Sequence, residues 1–261
     1  MLNDQRPLQQ IGLDGVALKP LEVDLTSLES LPTGRATVDY EGAAALPGAE
    51  TLERLAGLVD LRVTVPVRAD GFDPIGDDRR WAELPAGAEL ALVAGNPAYL
   101  EEHERRRPIA PRLRAALDRA PDAWVGTEGI ERVAMATGAA QFELLGPATE
   151  RRVRDLRAVG FDGDVAVYAP TVLSDDEDAV LDALGPYVAR RRRVARSLPA
   201  DATTDAAADG RAREILLSAA DEFGIVGDVT AARGRITALR DAGVDHVVGY
   251  PARGLAEFAA R

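Results

Sequence analysis

Apolar residues recur along this chain in two rhythms. Short runs rich in β-branched residues alternate with longer segments in which apolar positions return every three or four residues. The short runs fall at 16–18, 36–39, 61–67, 90–94, 123–126, 142–145, 165–168 and 246–249. Between them, 51–59 carries Leu52, Leu55, Ala56 and Val59, and 149–159 carries Val153, Leu156 and Val159, each set forming one stripe of a helix. Eight strands alternating with helices is the number a closed βα barrel requires. The pattern therefore predicts an α/β fold, a (β/α)8 TIM barrel, with residues 1–261 as a single domain. The first connection is short for a full helix.

The spacing between the seventh and eighth runs is far longer than one crossover helix needs, and three helices fit there. The first starts at Ser174 as N-cap, with Asp175, Asp176, Glu177 and Asp178 in its first turn and Arg190 to Arg193 near its end, matching the helix dipole at both ends. The second covers 206–223 and the third 229–242, where Gly243 stops it. Residues 198–205 read as the flexible loop between them.

Composition narrows the chemistry. There are no cysteines and only two histidines, His103 and His246, so thiolate chemistry and Cys- or His-rich metal sites are excluded and no metal is expected. The net charge of −12 opposes nucleic acid, because binding by counterion release needs a basic surface. No run approaches a membrane span, and Met1-Leu2-Asn3-Asp4-Gln5-Arg6 lacks a signal-peptide layout, so a cytoplasmic protein is expected. Of the 31 basic residues only Lys19 is lysine. Such an acidic, lysine-poor composition suits a halophilic cytoplasm, where the Debye length falls to roughly 3 Å at 1 M salt. A GC-rich genome favouring arginine codons accounts for it equally well.

One stretch carries a question of its own. In AWVGTEGIERVAMATGAAQFELLG, residues 123–146, an apolar run breaks at Gly126-Thr127-Glu128-Gly129, a helical segment follows, and a second apolar run closes it. Glycine turns that open helices can cradle phosphates through unpaired backbone N–H groups. A tight turn needing a positive φ explains the same glycines. Glu128 speaks against phosphate, since a carboxylate competes for the same positive potential.

This stretch and FGIVGDVTAARGRITALRDAGVDHVVGYP, residues 223–251, together resemble the luciferase-like monooxygenase superfamily, TIM-barrel proteins that include bacterial luciferase and deazaflavin-dependent reductases. The segment 174–198, with Gly185-Pro186-Tyr187-Val188, is similar to the helix after that family's seventh strand. The resemblance implies a flavin- or deazaflavin-dependent oxidoreductase that binds coenzyme F420 or FMN across the barrel mouth and acts on a small organic substrate. Asp39 matches an acidic position after strand two, with Tyr40 where relatives carry histidine, and Val65-Pro66-Val67-Arg68 is similar to a strand end that holds a cis peptide in relatives. A shortened, noncatalytic relative that binds a ligand or a partner subunit is the alternative, and the chain leaves open whether it forms a homo-oligomer.

In a βα barrel the chemistry sits at the C-terminal ends of the strands. There, Asp39 and Lys19 are the candidate catalytic residues, and Arg68, Asn96, Gly126, Thr127 and Gly129 the candidate cofactor-binding residues. Lys19 is positioned for proton transfer or for an ordinary ion pair with Asp39 or Glu41. Arg68 with Asp70 forms either an anion clamp or, preferably, a salt bridge that ties down the following loop. His103 lies in a solvated helical charge cluster, and His246 at the start of the last strand, the wrong end for catalysis.

Overall fold

A computed structural model describes residues 8 and 11–258. Residues 1–6, read above for a signal-peptide layout, lie outside that range.

Nine strands form one sheet: β1 Gly15–Leu18, β2 Arg35–Val38, β3 Asp60–Pro66, β4 Glu89–Val93, β5 Trp124–Gly126, β6 Gln141–Leu144, β7 Val165–Val172, β8 Ile225–Val226 and β9 His246–Pro251. Their order is β6-β5-β4-β3-β2-β1-β9-β7-β8, with β6 also paired to β7, so eight of them form the closed ring of a (β/α)8 barrel and the two-residue β8 adds a spur on β7. All eight expected strands are present. The helices are α1 Ala49–Ala56, α2 Glu102–Arg105, α3 Ile109–Arg119, α4 Glu131–Thr137, α5 Thr149–Ala158, α6 Glu177–Ala189, α7 Arg192–Ala195, α8 Gly210–Phe223 and α9 Val229–Asp241. Among the described residues no helix joins β1 to β2, as that short connection foretold. Nor is any described helix long and apolar enough to cross a membrane.

The chain divides into two compact units. One comprises residues 14–143 and 162–166, and the other the remaining described residues. In the first, β1 to β6 pair in parallel with consecutive registers, such as Val63 opposite Leu90 and Val65 opposite Leu92. Val63, Val65, Leu92 and Val125 are fully buried, as parallel strands covered on both faces require. At the N-terminal strand ends, the Arg62 guanidinium stacks on Trp124 and pairs with Glu89, and burial lowers its pKa to about 10.

In the second unit, α6 packs on α8 through Leu181, Val188, Leu216 and Ala219. The cap of α6 is Asp176, whose side chain accepts the N–H groups of Asp178 (2.9 Å) and Ala179 (3.3 Å). Ser174, expected as the cap, sits two residues earlier and accepts the Asp176 N–H at 3.2 Å. The shift follows from side-chain reach: the first helical residue is Glu177, so Asp176 is the residue that faces the open N–H groups. Likewise α8 begins at Gly210 rather than 206, because Asp205 to Ala208 close a turn and the Asp182 carboxylate takes the Ala206 N–H.

Candidate functional site

The candidate residues all lie in the first unit, at the C-terminal ends of β1 to β5. The glycine turn after β5 is closed by a bond from the Ile130 N–H to the Thr127 carbonyl (3.0 Å), with Gly129 at φ 72° in the left-handed region. The Thr127 N–H goes to the Phe142 carbonyl at 3.0 Å. Two of the donors at this turn are therefore already paired. Glu128 does not cap α4; its carboxylate accepts from the Asn96 side chain at 2.9 Å, and Asn96 in turn accepts the Ala98 N–H at 2.8 Å. The turn after β5 thus rests on the turn after β4.

Gly95, which the sequence reading passed over, makes that contact. A Cβ there would overlap the Glu128 carbonyl oxygen, whereas one at Gly129 would meet nothing within 4 Å and one at Gly126 only ordinary contacts, with the Leu92 carbonyl at 3.5 Å and Val93 at 3.7 Å. The Gly95-Asn96-Pro97 breaker triplet directly after an apolar run was the available signal.

Arg68 is buried at the end of β3. Its Nη1 donates to the Arg105 carbonyl (3.0 Å) and its Nη2 to the Gly95 carbonyl (3.1 Å), while its buried Nε has no partner among the described residues. Burial, then the nearby Arg112 charge, lowers its pKa. The expected Arg68–Asp70 bridge is not formed. The 66–69 turn, closed by the Ala69 N–H on the Pro66 carbonyl (2.9 Å), separates the two side chains, and Asp70 pairs with Arg107 (2.6 Å) and His103 (3.0 Å). Bonds from these two hold the Asp70 carboxyl below its ordinary pKa.

Beneath them, the buried Asp73 carboxylate takes Arg112 at 2.9 Å and Arg107 at 3.4 Å. Arg107 also donates to the Arg68 carbonyl at 2.8 Å. Arg68 and Arg107 therefore each bond backbone on the other's segment. His103, expected to be merely solvated, is exposed yet held by Asp70. Asp70, His103 and Glu104 bring their ligand-type atoms within 4.8 Å of one another. The Glu104 oxygens, however, accept the N–H groups of Asp70 and Glu101, each at 2.6 Å, and Arg107 occupies Asp70. The group is thus an ion-pair network that pins α2 to the end of β3.

Beside this network opens a cleft of about 420 Å³, lined by Gly42, Tyr99, Glu101, Glu102 and Arg105. Tyr99 is 49% exposed on its wall. Behind it, Tyr40 at the end of β2 meets Phe72 edge-on (5.9 Å, 88°) and Tyr99 likewise (6.4 Å, 84°). Asp39 is half-buried one residue earlier, and its N–H donates to the Leu18 carbonyl at 2.8 Å. Lys19 makes its ion pair with Glu22 at 3.4 Å, and Glu41 accepts the Leu21 N–H at 2.9 Å. Among the described residues no peptide bond is cis, so the cis peptide that the resemblance implied at the end of β3 is not present. In the second unit, Tyr168 and Tyr250 stack at 6.3 Å and His246 opens β9.

The residues of the cleft suit a planar ring better than a charged tail: Tyr99 offers an exposed aromatic face and Arg105 a cation. Glu101, Glu102 and Glu128 surround the same loops with negative charge, which disfavours phosphate there.

Residues 8–258 match a family described as a family of unknown function, DUF7388, and the chain belongs to that family. Comparison with curated proteins gives no match. Among solved structures, an F420-dependent secondary alcohol dehydrogenase in complex with an F420–acetone adduct superposes with a TM-score of 0.57 at 11% identity, covering 92% of this chain and 94% of that one. It shares the fold. The MalC reductase/Diels–Alderase from Malbranchea aurantiaca aligns over 96% of this chain and 99% of its own, at 9% identity and a TM-score of 0.28.

Proposed function

We infer that this member of DUF7388 is an oxidoreductase whose cofactor is a deazaflavin or flavin, coenzyme F420 or FMN, held at the ends of β2 to β5. The observation that carries this reading is the barrel itself, which superposes on an F420-dependent dehydrogenase over 92% of this chain and 94% of that one. When bound, such a ring supplies the hydride chemistry, and the protein supplies orientation and electrostatics. Arg68, Asn96, Gly126, Thr127 and Gly129 form the cofactor side of the proposed site. The buried Arg68 Nε has no partner among the described residues and would have to be uncovered to reach a ring oxygen or nitrogen, and the open space over Gly129 leaves room for approach. Asp39 and Lys19, at the ends of β2 and β1, are proposed to hold and move the proton that accompanies reduction of a small organic substrate.

A second reading, a noncatalytic barrel that binds a ligand, is favoured by one specific observation: Arg68, Asn96 and Glu128 already hydrogen-bond to neighbouring loops of the same strand ends. Visible absorption separates the two. Protein purified from a deazaflavin-producing host should absorb at roughly 400–450 nm, a property of the bound ring. Colourless protein that takes up neither coenzyme F420 nor FMN on addition leaves the ligand-binding reading alone.

A further inference from the structure

The run of arginines that follows α6 is only partly used by the fold. Arg191 donates to the Tyr187 hydroxyl and stacks on the Tyr187 ring at 4.3 Å, and Arg193 pairs with Glu222 on α8 at 3.0 Å. Arg190, Arg192 and Arg196 are exposed, and their side chains have no hydrogen bond or ion pair among the described residues. The helix dipole accounts for part of this charge. Arg190 and Arg191 close α6, where cations are favoured, but Arg192 and Arg193 fall in the first turn of α7, where the dipole opposes them. Arg196 caps the end of α7, one helical turn beyond Arg192, so the two stand on one face with Cβ atoms about 6 Å apart, a like-charge pair that costs stability. The turn is nonetheless firmly held. Val194 is buried in one cluster with Leu181, Val188 and Leu216, and the Ala195 and Leu198 N–H groups bond the Arg191 and Val194 carbonyls at 2.9 and 3.0 Å.

We propose that this face docks an acidic segment of a partner protein, lying extended across Arg192 and Arg196, with Arg190 adding a third charge. Same-face side chains of an extended chain recur every 6–7 Å or so, about the spacing of the two arginines, so carboxylates at alternate positions meet both guanidiniums in register. Arginine pairs with a carboxylate through two parallel bonds, which gives such a contact geometry as well as charge. Charge also selects the occupant. A nucleic acid or a second copy of this chain would bring many negative charges against a chain of net charge −12, whereas a short acidic segment meets the local cations alone. The thirteen residues of α6 place its last turn about 20 Å from its first, which follows the end of β7, so docking here leaves the barrel mouth open and is independent of the oxidoreductase reading.

A fluorescein-labelled peptide of alternating glutamate and serine, titrated into the full chain at low salt and followed by anisotropy, should bind saturably, and its glutamine counterpart should not. The double variant Arg192→Glu, Arg196→Glu should bind the acidic peptide about 10-fold more weakly or worse, because two exposed ion pairs give way to two repulsions. Arg196→Glu alone reads the premise. It turns a like-charge pair into an attractive one, so the Tm should hold or rise, which also shows that the variant folds. No saturable binding by wild type, equal affinity in the double variant, or a lower Tm in Arg196→Glu, the mark of a structural partner, overturns the proposal. Inorganic phosphate that displaces the peptide at equal concentration would make the face a small-anion site, and a wild-type dimer that the double variant dissociates would make it an interface between copies. Either result also overturns it.

Discussion

Replacing Gly95 by alanine tests how the site's loops are assembled. The added methyl would overlap the Glu128 carbonyl oxygen, which is backbone and cannot rotate aside, so the turn at 127–129 must move as a unit. Forcing such an overlap into a packed region costs about 1–3 kcal/mol. The displacement also breaks the Asn96–Glu128 bond, now 2.9 Å, at about 0.5–1.5 kcal/mol. The expected loss is about 2–4 kcal/mol, and at about 2–4 °C per kcal/mol for a chain of this size the Tm should fall by roughly 5–15 °C. Differential scanning calorimetry of wild type, Gly95→Ala and Gly126→Ala reads it. Gly126→Ala is the internal reference, since its methyl would meet only an ordinary contact. A Gly95→Ala Tm within a degree of wild type would refute the close approach of the two turns.

Three further outcomes are expected. Asp73→Ala leaves Arg107 and Arg112 without their buried partner and should cost about 3 kcal/mol, measured by urea unfolding; a loss below about 0.5 kcal/mol would show that the pairing contributes little. Asp70 has a depressed pKa, so its contribution is present above the unfolded value near 3.8 and is lost as pH falls through the lower folded value; the Tm difference between wild type and Asp70→Asn should therefore shrink below about pH 4, and a difference constant from pH 7 to pH 3 would contradict the Arg107 and His103 pairings. With a net charge of −12, molar KCl should raise the Tm by screening like-charge repulsion, and a Tm indifferent to KCl would leave codon bias as the account of the arginine-rich composition.

The barrel was legible because strand periodicity survives in the sequence. The run at 90–94 became Glu89–Val93, and that at 61–67 became Asp60–Pro66. Within the eight apolar runs, Val63, Val65, Leu92, Val125, Phe142, Val165, Val167 and Val247 are buried, whereas Leu144 is half-buried. In β6 the polar Gln141 and Glu143 take buried positions, so hydrophobicity alone misjudged which residues of that strand face inward. The seventh strand runs on to Val172 through Ala169-Pro170-Thr171, where proline masked its continuation. The site was less legible for a different reason. Arg68 meets Arg105, Asp70 meets Arg107, and Asn96 meets Glu128, pairs separated by more than thirty residues. A local reading therefore paired Arg68 with its neighbour Asp70, and the aromatic wall at Tyr99 went unnoticed because nothing around it marks a binding surface.

The central claim is that the ends of β2 to β5 hold a deazaflavin or flavin. Its most direct test is an equilibrium titration of the purified protein with coenzyme F420 and, separately, with FMN, followed by cofactor fluorescence and repeated with Arg68→Met. The account predicts saturable binding of one of the two cofactors by wild type and weakened binding by the variant, whose side chain offers no donor. Linear, unsaturable fluorescence with both cofactors would contradict it.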